Sequence, residues 1–183
     1  MRWLSLKAIS TSKMTKNTKR KGYIYEQIFF TEALKNGLEV FCPLGDHLPV
    51  DCIVVNSAGK KFNVQIKGSE KSSVSDRKNG CARYKFSTTT GRVVKYPLDC
   101  TKVDVVAIFC ADIDAWYLIP CLAIDGALTV AVYPHNPNSK AKHEKYREAW
   151  EIFKTAWKIF LAPCHNGMWR TISVRRTTQE CEL

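Results

Sequence analysis

Apolar and polar positions alternate most clearly between residues 51 and 67, where two short runs flank a small-residue turn. The stretch reads DCIVVNSAGKKFNVQIK, and runs rich in Val, Ile and Phe around such a turn predict a β-hairpin. A three-residue loop at 57–59 puts Gly59 in the left-handed position that this loop type wants, so Asn56 faces Lys60. Counting back along both strands sets Asp51 opposite Gln65. Because side chains alternate faces, Cys52, Val54, Phe62, Val64 and Ile66 share an apolar face, while Asp51, Gln65 and Lys67 share the other.

The pattern around this hairpin predicts further elements. From Gly22 the sequence turns helical, and Gly37 supplies a C-terminal cap. A period of 3.6 brings Glu26, Phe30, Ala33 and Leu34 together. Glu26, read as lying in the first turn, either favours the positive helix end or serves the hairpin as a further acidic group. A short strand at 38–43 and a loop at 45–49 lead back to Asp51. The most apolar strand is at 104–110, and it pairs with 115–120 around an acidic turn whose Asp112 and Asp114 are expected to be solvated. Strands are also expected at 83–88 and 128–133. A long helix is expected from residue 139 to before Pro163, with Tyr146, Trp150, Phe153, Trp157 and Phe160 as an aromatic stripe for packing on the sheet or on another subunit.

Composition narrows the class of partner. The 183 residues, 45% hydrophobic and 25% charged, suit one domain with a core. A net charge of +11 points to a polyanion. Nucleic acid is preferred over a membrane, because no apolar run approaches the roughly 20 residues of a span. With no signal peptide pattern at the N-terminus, a cytoplasmic protein is expected, nucleoid-associated or in a phage-infected cell. Residues 1–21 carry seven cations and no acid, an arm that is either simply solvated or lies along phosphates. The eight cysteines include no C-x-x-C and several fall in apolar runs, so reduced thiols are expected, with neither zinc nor disulfides.

The polar face of the hairpin has two accounts. Asp51 and Lys67 form a weak surface pair on a wet edge hairpin, or a carboxylate and an amide oxygen offer hard ligands to Mg²⁺ while the ammonium reaches a water or a phosphate.

The flanking motifs favour the second account. Lys21-Gly22-x-x-x-Glu26 opening a helix, Pro49-Val50-Asp51 opening a strand and Gln65-Ile66-Lys67 closing the next resemble the PD-(D/E)XK nuclease superfamily. The similarity is closest to its group I intron-associated homing endonuclease branch, whose last motif is Q-x-K; archaeal Holliday junction resolvases share the order with E-x-K. It covers residues 19–120, since Trp116-Tyr117-Leu118-Ile119-Pro120 also looks like that branch. Order and spacing carry the resemblance more than any single motif.

The resemblance implies an α/β fold of the restriction-endonuclease type, a mixed β-sheet core flanked by helices, over residues 19–163. A basic arm at 1–18 precedes this domain and an extension at 164–183 follows it. It implies a Mg²⁺-dependent endonuclease acting on double-stranded DNA. Asp51 would be the principal metal ligand, Gln65 and the Ile66 carbonyl further ligands, Glu26 a supporting acid, and Lys67 the residue that positions water. Two departures stand out: Val50 is inserted between Pro49 and Asp51, and Gln65 replaces the usual carboxylate. Site-specific cleavage of both strands implies a homodimer or homotetramer. A junction resolvase and a DNA-binding module without catalysis are the alternatives. Candidate DNA contacts in the polar stretch after Lys67 are Lys71, Arg77, Lys78, Arg83, Lys85, Arg92 and Lys95.

Overall fold

Strand β8 (Val105–Cys110) is buried at every position, and its side chains alternate between two separate cores. Val105, Ala107 and Phe109 belong to one, Val106, Ile108 and Cys110 to the other. A fully apolar run is what a strand covered on both faces requires. The computed structural model describes residues 17–45, 48–72, 74–75, 82–91 and 93–154.

Within these residues the chain runs α1 (Thr18–Lys35), β1 (Glu39–Phe41), β2 (Cys52–Val55), β3 (Lys61–Ser69), β4 (Val74–Ser75), β5 (Ala82–Ser87), β6 (Thr89–Thr90), β7 (Tyr96–Pro97), β8, β9 (Ala115–Pro120), α2 (Cys121–Ile124), β10 (Thr129–Val132) and α3 (Glu151–Lys154). The central sheet has the order β1-β2-β3-β8-β9. It is mixed, because β3 and β8 are parallel whereas the other neighbours are antiparallel. Helix α1 and the segment around α3 cover one face through Tyr25, Phe29, Ala33, Trp150 and Phe153. A smaller sheet, β10-β5-β4, covers the other through Tyr84, Phe86, Val130 and Val132. The α/β restriction-endonuclease-like architecture expected from the sequence is thus the observed one.

Several boundaries differ from expectation. Helix α1 begins at Thr18, where the Asn17 side chain caps the Lys19 and Arg20 amides, so part of the basic arm is helical and Glu26 sits in the third turn. Its position therefore owes nothing to the helix dipole. Leu34 is exposed, and the buried face is Tyr25, Phe29 and Ala33. The helix expected from residue 139 is absent up to Glu151. Residues Glu144–Tyr146 form one 3₁₀ turn, and the Glu148 amide and carboxylate bond the Trp116 carbonyl and amide. Backbone groups drawn onto the edge of β9 cannot propagate a helix. Of the aromatic stripe, Trp150 and Phe153 are buried and Tyr146 partly so; Trp157 and Phe160 lie outside the described residues.

The expectation of reduced cysteines is also corrected: Cys100 and Cys121 form a disulfide. Antiparallel pairing of β8 with β9 sets Val105 opposite Pro120, which brings the turn before β8 to the start of α2. The Cα atoms lie 5.4 Å apart, within bridging distance. Cys52 and Cys110 are buried thiols.

Candidate active site

The hairpin of β2 and β3 has the register that turn chemistry predicts. Cys52 pairs with Val64 and Val55 with Lys61, Gly59 has φ +75°, and the Asn56 amide bonds the Lys60 carbonyl at 3.1 Å. Extending the ladder by one residue brings Asp51 opposite Gln65. Val64 and Ile66 face the helix-covered core, so Gln65 and Lys67 project from the opposite face.

Asp51 is fastened at this point by two bonds. Its amide donates to the Val64 carbonyl at 2.9 Å, and its carboxylate accepts the Ile66 N–H at 2.5 Å. The N–H and C=O of one strand residue point to the same edge, so the Ile66 carbonyl also faces outward past the start of β2. Burial raises the Asp51 carboxyl above its ordinary range, opposed by the Ile66 N–H and by the Lys67 ammonium nearby.

Gln65 is almost fully buried, at 8% exposure. Its Nε2 donates to the Pro49 carbonyl at 3.4 Å, while its Oε1 is buried with no hydrogen-bond partner. A buried amide oxygen without a donor carries an uncompensated desolvation cost, and a bound cation would remove it. The donor set is therefore suited to a hard divalent ion.

Glu26 is half-buried on α1, and its charge reaches Cys52, the residue after Asp51. After burial itself, the Asp51 and Glu26 carboxylates both push the Cys52 thiol up, and Glu26 does the same to Cys42. Among the described residues no group of three or more His, Cys, Asp or Glu is assembled.

Beside Lys67 a cleft of about 510 Å³ opens between the start of α1 and the end of β3. Lys21, Lys67 and Lys71 line it, and Lys21 is paired with Glu70 at 2.7 Å. The Tyr25 ring forms its floor against Gly68, where any Cβ would fall inside the ring. Burial, with Glu70 adding to it, raises the Tyr25 hydroxyl to about 12.

The predicted DNA contacts are not gathered in one place. Lys71 is exposed at this cleft, Lys85 on the outer face of β5 and Lys95 in the loop after β6, while Arg83 is half-buried. Arg77, Lys78 and Arg92 lie outside the described residues. Sequence reasoning missed the Lys21–Glu70 pair, although Lys21 belongs to the helix-opening motif. It also treated Asp112 as solvated, whereas the Tyr84 hydroxyl donates to it and stands 3.1 Å from His135 Nε2. Nothing in the spacing of residues 84, 112 and 135 announces that cluster.

Among the described residues no helix is long and apolar enough to cross a membrane. No curated protein sequence matches the chain. Among solved structures, the bacterial homing endonuclease I-Ssp6803I matches with a TM-score of 0.61 and 26% identity, over 75% of this chain and 94% of that one. A Holliday junction resolvase of Archaeoglobus fulgidus, Hjc, aligns with 63% of this chain and 85% of its own at 13% identity and a TM-score of 0.40. The PD-(D/E)XK endonuclease profile matches residues 16–153, which span α1, the Asp51 hairpin and both sheets; the chain belongs to the PD-(D/E)XK endonuclease family.

Proposed function

We propose that this nuclease is a Mg²⁺-dependent, site-specific DNA endonuclease of the homing type. The observation that carries the reading is the pairing of Asp51 with Gln65. A buried carboxylate and an amide oxygen without a donor stand opposite each other, with an ammonium close by. Similarity to a homing endonuclease at 26% identity supports the finer assignment.

Asp51, Gln65 Oε1, the Ile66 carbonyl and Glu26 would hold the metal, which when bound offsets charge on the phosphate and acidifies water. Lys67 directs its ammonium to the attacking water or to a phosphate oxygen, which orients the nucleophile and stabilises the negative charge as it builds. The Ile66 N–H holds the Asp51 carboxylate in place, which lowers the reorganisation asked of that side chain. Lys21 and Lys71 line the cleft along which a phosphate backbone would run. Water adds to phosphorus and one P–O ester bond breaks, leaving a phosphate monoester and a hydroxyl. Cutting both strands at one site needs two such centres, hence a homodimer or homotetramer.

The replacement of the usual carboxylate by Gln65 favours a second reading, a DNA-binding module without catalysis. Incubation of a supercoiled plasmid library with the protein and Mg²⁺ separates the two. Discrete cuts by wild type, lost in Asp51→Ala and Lys67→Ala, are expected. Cutting confined to four-way junctions would indicate a resolvase, and retention of DNA without any cutting would indicate the binding module.

A further inference from the structure

Two adjacent valines of this protein are exposed, one of them almost completely. Val93 is 94% exposed and Val94 56%, at the tip of a small ribbon made by β6 and β7, in which Thr89 pairs with Pro97 and Thr90 with Tyr96. Tyr96 beside them is also exposed. Large apolar side chains held this far from the core cost solubility and mark an interaction site when they cluster.

The described residues on both sides of the turn are fixed by contacts. Gly91 has φ +87°, and a Cβ there would meet the Val94 carbonyl; Lys95 Nζ donates to the Gly91 carbonyl at 2.9 Å. At the base, the Leu98 amide bonds the Thr88 carbonyl at 3.1 Å. Thr88 and Leu98 are both buried, and Thr88 Oγ1 donates to the Ala127 carbonyl at 2.6 Å. Leu98 packs in the same core as Val106 and Ile108, the β8 residues that pair with Gln65 and Lys67. The ribbon therefore rises from the face of the sheet that carries the candidate catalytic side chains.

Charge selects the occupant. The described residues from β5 to β7 include no acid, and Lys85 and Lys95 among them are exposed. A second copy presenting the same ribbon would set like charges against like there. Two valines are also far short of the roughly 800 Å² per partner of a stable protein interface. A major groove about 12 Å wide admits a two-stranded β-ribbon, and apolar side chains in it recognise the thymine methyl.

We propose that the β6–β7 ribbon is a base-reading element, with Val93 and Val94 against thymine methyl groups in the major groove and Lys85 and Lys95 toward the flanking phosphates. The proposal rests on the DNA endonuclease reading and adds where sequence is read.

The test is selection of bound duplexes from a random-sequence DNA library by wild type and by Val93→Ser/Val94→Ser. Competition follows, using selected duplexes in which each thymine is replaced in turn by deoxyuridine, which lacks the methyl. Wild type is expected to lose about fourfold in affinity at one or two positions, the transfer value of a buried methyl-sized group. The double variant should bind thymine and deoxyuridine equally, with its salt dependence and thermal melt unchanged. An identical profile and thymine preference in the double variant would overturn the proposal. So would a change in its oligomeric mass by light scattering, which would make the ribbon a subunit contact. Failure of wild type to bind any duplex would overturn the endonuclease reading itself.

Discussion

The carboxylate of Asp51 accepts the main-chain N–H of Ile66 at 2.5 Å, fastening the start of β2 to the strand that carries Gln65 and Lys67. The same carboxyl titrates above its ordinary range because burial outweighs that bond and the Lys67 ammonium. A raised folded value means that folding disfavours the ionised form. In the metal-free protein the stability contributed by Asp51 is full below about pH 3.9, the unperturbed carboxyl value, and is lost as pH rises through the raised one. Asp51→Asn keeps an acceptor for the Ile66 N–H and removes the charge. Its urea midpoint should match wild type near pH 4 and exceed it near pH 7. Asp51→Ala leaves the Ile66 N–H without its acceptor and should cost about 1–3 kcal/mol. A wild type-to-Asn difference that is flat with pH would contradict this account.

Mg²⁺ should reverse that order. At a hundred times its dissociation constant, a ligand bound only by the folded state adds about 2.7 kcal/mol, so wild type should gain in thermal stability while Asp51→Asn gains little. Gln65→Glu should bind the ion at least as well as wild type, and Gln65→Ala less well, because only the latter loses the oxygen donor. Equal Mg²⁺ shifts in wild type and Gln65→Ala would remove Gln65 from the ligand set.

Gly68→Ala tests how closely α1 must approach β3. Its Cβ would fall within the Tyr25 ring, and overpacking of this kind costs about 1–3 kcal/mol. Because Lys67 is the adjacent residue, cleavage should fall with stability. Adding Tyr25→Ala should recover part of both, a coupling that a double-mutant cycle measures. Strictly additive effects would mean that the ring is not what excludes the methyl.

Reduction should weaken the fold without touching the chemistry. The Cys100–Cys121 bridge closes a separation of 21 residues, and loops of that size are worth roughly 2–4 kcal/mol. Dithiothreitol or Cys100→Ala/Cys121→Ala should lower the urea midpoint accordingly while cleavage under native conditions is kept. An unchanged midpoint would show that the sheet holds the two segments without the bridge.

The candidate site was legible because its parts are local. Asp51, Gln65 and Lys67 belong to one hairpin, and the Gly59 turn with period-2 alternation specifies their register without reference to any tertiary contact. The same local rules identified β8 and β9, the Gly37 cap and the burial of Cys52, Val54, Phe62, Val64 and Ile66. Fold and family came from the order of Glu26, Asp51 and the Gln65-Ile66-Lys67 motif.

What only the tertiary structure decided involves partners distant in sequence. The bond from Ile66 to Asp51 and the orphaned Gln65 oxygen depend on how a strand ends against its neighbour, which no alternation pattern encodes. The Cys100–Cys121 bridge follows from β8–β9 pairing, and the Tyr84–Asp112–His135 cluster from a second sheet packing on the first. The segment before α3 has a helical hydrophobic period, but its backbone groups bond to the edge of β9 at Trp116. There a free strand edge competed with helix propagation and won, because backbone donors and acceptors of an edge must be paired when the edge is covered.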